Sequence, residues 1–166
     1  MIRATKKGAA RLRLLSTVLL GATALSGGLA PAFADTEWEG PASSDWTDPA
    51  NWDAGVPDGL DNVTVNGNQG SDPDINGVNA DSAALLVGSD ESGVLTIQNG
   101  GVLTTANYAY LASQSGSAGV VTVNGAGSAW NITNSLVVGH GGAGTLTISE
   151  GGDVNKDNGY NGYIAR

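Results

Sequence analysis

The second half of this chain repeats itself, and that limits what it can fold into more than any other feature. Sliding the sequence by 51 positions lays Leu85-Leu86-Val87-Gly88 on Leu136-Val137-Val138-Gly139. The same shift lays Gly93-Val94-Leu95-Thr96-Ile97 on Gly144-Thr145-Leu146-Thr147-Ile148, and Gly100-Gly101 on Gly151-Gly152. Of the 17 residues from 85 to 101, 9 are identical, more than shared glycine content produces. A half-period lies between them. Gly119-Val120-Val121-Thr122-Val123 falls 26 residues after the first such run and 25 before the third. Tyr110-Leu111-Ala112-Ser113 precedes it, and Tyr163-Ile164-Ala165-Arg166 resumes that same short strand. Fixed periods of this length mark solenoids.

Each unit of about 25 residues is predicted to carry two short strands. In Leu95-Thr96-Ile97 and Leu146-Thr147-Ile148, apolar residues alternate with threonine, the period-2 pattern of a half-buried strand. Asn99-Gly100-Gly101 and Glu150-Gly151-Gly152 follow at once, residues that accept positive φ at a tight corner. A strand this short cannot bury its apolar face alone. Stacking copies at about 4.8 Å buries one narrow continuous core and pairs the peptide groups. Copies joined by a full turn of chain pair in parallel, so the expected fold is an all-β parallel β-helix. Helices are disfavoured because glycine interrupts every candidate window and no 3.6-residue period is present.

The runs Gly-x-Leu-Thr-Ile-x-x-Gly-Gly, Tyr-Leu-Ala-Ser, Leu-Val-Val-Gly and Gly119-Val-Val-Thr-Val-x-Gly-x-Gly127-Ser128-x-Trp130 resemble a known repeat. It is the one shared by bacterial autotransporter passengers and related exported surface proteins, including those with PEP-CTERM-associated repeats. The resemblance covers residues 85 to 166 and implies a right-handed parallel β-helix at, or released from, a Gram-negative cell surface. It implies no single activity and carries over no catalytic residue. It also implies a C-terminal translocator barrel in the full-length protein. The alternating segments of about ten residues that build such barrels are absent from this sequence, so the chain is expected to be an N-terminal piece, truncated in mid-repeat.

The N-terminal end fits export. Arg3, Lys6, Lys7, Arg11 and Arg13 form a basic head, Leu14 to Ala30 is apolar apart from small Ser, Thr and Gly, and Ala32-Phe33-Ala34 gives a small-x-small cleavage pattern. Residues 1–34 therefore read as a Sec signal peptide cut before Asp35. No Arg-Arg pair points to the twin-arginine route. Removing the leader leaves only Lys156 and Arg166 against 16 acidic residues, a net charge of −14. Such a surface repels nucleic acid and anionic lipid. Val, Leu, Ile and Phe make up about a fifth of residues 35–166, near the boundary of disorder, so the case for a fold rests on pattern. Cysteine is absent, which suits a chain that crosses the periplasm unfolded.

Residues 35–60 differ from the repeats of 61–166. Trp38, Trp46 and Trp52 are separated by Gly40, Asp45 and Asn51, and Gly55, Pro57 and Asp61 lead into Val63-Thr64-Val65. An open solenoid end exposes unpaired strand edges, so a cap built on large aromatics is the expected role. The competing reading is a sugar-binding face. Trp130, inside the repeat, reads as a packing or corner residue.

Asp72-Pro73-Asp74-Ile75-Asn76-Gly77, with Asp81 nearby, alternates oxygen ligands before a glycine as a calcium loop does. Pro73 interrupts it, no Glu closes it and Ala83 stands twelve residues on, so a turn leading into Ala83-Ala84-Leu85 is expected. Gly141-Gly142-Ala143-Gly144-Thr145-Leu146 has threonine where a calcium nonapeptide needs aspartate. A lyase wants a base, and only Lys156 and Arg166 are on offer; a hydrolase wants a carboxylate pair. Asp45, Asp48, Asp53, Asp58 and Asp61 read instead as solvated corner residues. His140, the single histidine, reads as a turn residue, and Asn62-Val63-Thr64 and Asn131-Ile132-Thr133 as strand-edge residues. No catalytic, cofactor or metal residue is therefore assigned. The expectation is a non-enzymatic passenger with roughly four or five coils, a display stalk or adhesin for a host or matrix glycan or protein at the cell surface, in the outer membrane or in the medium. The alternative is a secreted carbohydrate-binding or carbohydrate-active β-helix protein with the tryptophan segment as its binding module.

Overall fold

The computed structural model describes residues 35–67, 70–157 and 162–164; the predicted leader, Ala165 and Arg166 lie outside them. The described chain is all-β, with one 3-10 turn (Pro49–Asn51) as its only helical element. It opens with β1 (Asp35–Glu37) and β2 (Asn62–Val65), then winds three-sided coils. The first coil holds β3 (Asp74–Asn76), β4 (Asn79–Ser82) and β5 (Ala84–Val87), the second β6 (Ser92–Gln98), β7 (Val102–Thr105) and β8 (Ala109–Leu111). The third holds β9 (Ala118–Asn124), β10 (Ala129–Ile132) and β11 (Leu136–Val138), the fourth β12 (Ala143–Ser149), β13 (Asp153–Lys156) and β14 (Tyr163–Ile164).

Every strand pairs in parallel with its copy in an adjacent turn, giving a wide sheet β1-β2-β5-β8-β11-β14 and two four-stranded sheets, β3-β6-β9-β12 and β4-β7-β10-β13. Gly93 pairs with Gly119 and Gly119 with Gly144, so the 51-residue shift is two coils. The fold is thus a parallel β-solenoid of about five turns.

Two expectations need correction. Each coil has three strands, not two, because β4, β7, β10 and β13 form a third side. Asp74–Asn76 is strand β3, paired with Thr96–Gln98, where a turn was expected. Ile75, fully buried between the two polar residues, is what anchors it.

Alternation sets the core. Leu95, Ile97, Val121 and Val123 point inward at 0% exposure from one sheet, facing Leu85, Val87, Ala109 and Leu111 from the wide sheet. From the third side come Ala80, Leu103, Trp130 and Ile132. A polar ladder runs through this interior. Ser82 Oγ donates to Thr105 Oγ1 (3.1 Å), and Trp130 Nε1 donates to the same oxygen (3.1 Å). Buried polar groups are tolerable when paired in this way.

The two ends of the stack differ. Residues 38–61 run across the first coil. Trp38 N donates to Thr64 O, Asp74 N to Ser44 O and Trp46 N to Asp74 O, so peptide groups along β2 and β3 find partners in this segment. At the other end β12, β13 and β14 are outermost in their sheets. There Ile148, the counterpart of buried Val123, is 49% exposed.

Candidate functional site

The three N-terminal tryptophans are not a ligand platform. Trp38, Trp46 and Trp52 are 3%, 1% and 6% exposed. Their rings pack edge-on in a chain, with centroids 5.0 Å apart for Trp38–Trp52 and 4.7 Å for Trp46–Trp52. Trp52 Nε1 donates to Trp46 O (2.8 Å) and Trp38 Nε1 to Ser71 O (2.7 Å). Their faces serve the core, so the sugar-stacking reading of this segment is corrected.

Asn51 holds that segment together. It is 0% exposed. Its Oδ1 accepts from Ala42 N and Ser43 N, both at 3.1 Å, while its Nδ2 donates to Ser43 Oγ and Asp45 O. Asn51→Leu removes all four bonds and leaves the half-buried peptide N–H groups of Ala42 and Ser43 without this acceptor. The expected loss is about 3 kcal/mol, measured by urea unfolding, with Ser43→Ala costing much less.

The acidic corner residues each accept a backbone N–H. Asp48 Oδ1 accepts from Ala50 N, Asp45 Oδ1 from the backbone N and Oγ1 of Thr47, and Asp53 Oδ1 from Glu37 N. Asp58 accepts from Leu60 N and Asp61 from Asp58 N. The bonds of Asp45, Asp48 and Asp58 are Asx-type turns. From the suspected calcium loop, Asp74 Oδ2 accepts from Gln98 Nε2 (2.7 Å) and Asn76 Nδ2 (3.2 Å), an outward ladder along β3 and β6. Asn62 and Asn131 lie in strands, and they bond to Asp35 Oδ1 and Asn155 Nδ2 respectively.

The surface with most recognition potential is the outer face of the wide sheet. Thr64, Leu86 and Tyr110 sit side by side in register on β2, β5 and β8. Tyr110 is the middle ring of a column, 5.1 Å between centroids from Tyr108 and 5.1 Å from His140. His140 Nδ1 lies 3.2 Å from Ser113 O. Beside Tyr108 opens a cleft of about 330 Å³, lined by Asp35, Glu37, Asp53, Asn62, Thr64 and Leu86. An aromatic wall with carboxylate and amide groups around it can stack on a pyranose ring and hydrogen-bond its hydroxyls.

Sequence reading missed this face. Its available signal was Tyr108-Ala109-Tyr110, whose spacing of two puts both rings on one side of a strand. Nothing in the sequence shows that Asp35 and Asp53 come to lie beside them. Among the described residues no group of three or more His, Cys, Asp or Glu is placed to hold a metal ion. No described helix is long and apolar enough to cross a membrane. No family model, curated protein or solved structure matches the chain.

Proposed function

We propose that the chain is a non-enzymatic passenger segment of an exported bacterial surface protein, serving as a display stalk or adhesin. The observation that carries this reading is the in-register stack. Strands repeat in parallel one per coil along each side, so side chains recur in rows spaced by about 4.8 Å. Such rows suit repeated weak contacts with an extended partner, where avidity supplies affinity. The winding is proposed to be right-handed, the hand that parallel crossover connections take in about 98% of cases. Export through the Sec route, a cut before Asp35 and a translocator barrel beyond Arg166 belong to the same proposal.

A second reading is favoured by the Tyr108 cleft: a carbohydrate-binding exported protein whose site is the wide sheet rather than the tryptophans. One experiment bears on both. The full chain is expressed in a Gram-negative host, cell fractions are separated, and the product is sequenced and applied to immobilised glycans and matrix proteins. The passenger reading expects an N-terminus at Asp35 in a fraction outside the inner membrane. The carbohydrate reading expects glycan retention that Tyr108→Ala weakens about tenfold. An intact Met1 product kept in the cytoplasm would sink the first, and retention unchanged in Tyr108→Ala would sink the second.

A further inference from the structure

The corner that follows β3, β6, β9 and β12 turns through a left-handed residue in each coil. Asn76, Gln98, Asn124 and Ser149 are in register. The next residue has positive φ each time: Gly77 at +67°, Asn99 at +53°, Gly125 at +90° and Glu150 at +50°. Glycine takes that conformation freely, whereas a residue with a Cβ is strained in it. Asn99 is thus an exposed asparagine held in a strained turn, and Gly100 follows it. An asparagine before glycine has its side-chain amide open to the next peptide nitrogen, because glycine carries no side chain to block the approach.

We infer that Asn99-Gly100 is a site of spontaneous covalent modification, at which the asparagine becomes aspartate and isoaspartate. The Gly100 nitrogen loses its proton to water and bonds to Cγ of Asn99. Ammonia leaves, taking up a proton from water, and a five-membered succinimide ring closes. Water then opens the ring at either carbonyl. One opening yields aspartate; the other routes the main chain through the former side chain and lengthens it by one carbon, which releases the left-handed strain at this corner.

The fold singles out this pair among the four Asn-Gly pairs of the described residues. Gly67 N donates to Ser92 O, Gly77 N to Gln98 O (3.1 Å) and Gly125 N to Ser149 O (3.1 Å). Each of those nitrogens is held by the main chain of the next coil, so freeing it means moving a strand. Gly100 N donates instead to a side chain, Ser128 Oγ (3.0 Å), and rotation of one hydroxymethyl group frees it. The amide groups differ as well. Asn66 Nδ2 donates to Glu37 Oε1 and Asp90 Oδ1 while its Oδ1 accepts from Ser89 N. Asn76 and Asn124 are the last residues of β3 and β9, whereas Asn99 lies beyond the end of β6. An added Cβ at Gly100 meets nothing within 4 Å, so the ring closes into open space.

The conversion acts on the contact between the first two coils. Asn99 Nδ2 donates to Asn76 Oδ1 (3.0 Å), and Asn76 Nδ2 donates to Asp74 Oδ2 (3.2 Å). An acid at position 99 has no such donor and turns a carboxylate oxygen towards the same acceptor, so one bond of this outward ladder becomes a repulsion. This inference does not depend on the passenger reading.

The test is peptide mapping of the purified full chain during storage in mildly alkaline buffer, following the mass gain of amide-to-acid change and the separate elution of isoaspartate. Conversion at Asn99 is expected about fivefold faster than at Asn66, Asn76 or Asn124, the factor that one net hydrogen bond makes in a rate. In concentrated urea the four rates should converge. Ser128→Ala should speed conversion at Asn99 about fivefold further and leave the other three unchanged. Where Ser128→Ala fails to fold, the parent chain with and without urea decides. Conversion at Asn99 no faster than at the other three, a ranking that survives in urea, or an unchanged rate in folded Ser128→Ala would each overturn it.

Discussion

In urea or thermal unfolding, Gly119→Val is expected to lose its cooperative transition, while Gly116→Ala keeps one close to that of the parent. Gly119 stands at the start of β9, paired with Gly93 below and Gly144 above. A Cβ there would fall on the carbonyl oxygen of Val87 at the end of the first coil, and within 2.5 Å of Ala112 N and 3.0 Å of Leu111 Cα at the end of the second. All three are backbone atoms, so no rotamer change relieves the clash. The corner is closed by two chain segments at once, and opening it shifts the ends of both the first and the second coil. A cost of about 3 kcal/mol or more follows, a large part of what such a domain has in total. Gly116 is the control. Its φ is +88° and an added Cβ meets nothing within 4 Å, so alanine there costs only about 1–2 kcal/mol of left-handed strain.

The same deletion made twice, Ile97→Ala and Ile148→Ala, should separate interior from end. Both residues occupy one register position, linked through Val123. Ile97 is 0% exposed and Ile148 is 49% exposed. Removing the first leaves a hole between coils that are stacked on both sides, at a cost of about 2–5 kcal/mol. Removing the second takes atoms already half in water and should cost below about 1 kcal/mol. Denaturation midpoints of the two variants give the comparison. Equal losses would mean that the fourth coil is covered in solution.

The contrast between these positions also shows what sequence could reveal. Leu95-Thr96-Ile97 and its copies announce their strands because apolar and polar residues alternate and the alternation recurs. The third side has no such signature. Asn79–Ser82, Val102–Thr105, Ala129–Ile132 and Asp153–Lys156 are in register, yet their inward residues run Ala80, Leu103, Trp130 and Val154. A residue there needs only to fill the space left by the other two sides, so size varies from coil to coil and the repeat blurs. Burial of the tryptophans was half legible. Three aromatics among turn residues indicated a cap, but only the fold shows Asn51 fixing the loop that turns their faces inward. The Tyr108 cleft was not legible at all, because it gathers Asp35 of β1, Asp53 of the 38–61 segment, Asn62 of β2 and Leu86 of β5, far apart in sequence.

One consequence of the parallel stacking is mechanical. Ladder hydrogen bonds between coils lie along the long axis, so tension applied between the two ends loads the coils in series rather than sharing force among them. The weakest coil yields first, and its neighbours are spared. A coil of about 25 residues that comes free lengthens the chain by roughly 80 Å, against the 4.8 Å or so it occupied when stacked. Such a rod dissipates a pull in successive small ruptures, each reversible by restacking one coil on the face it left.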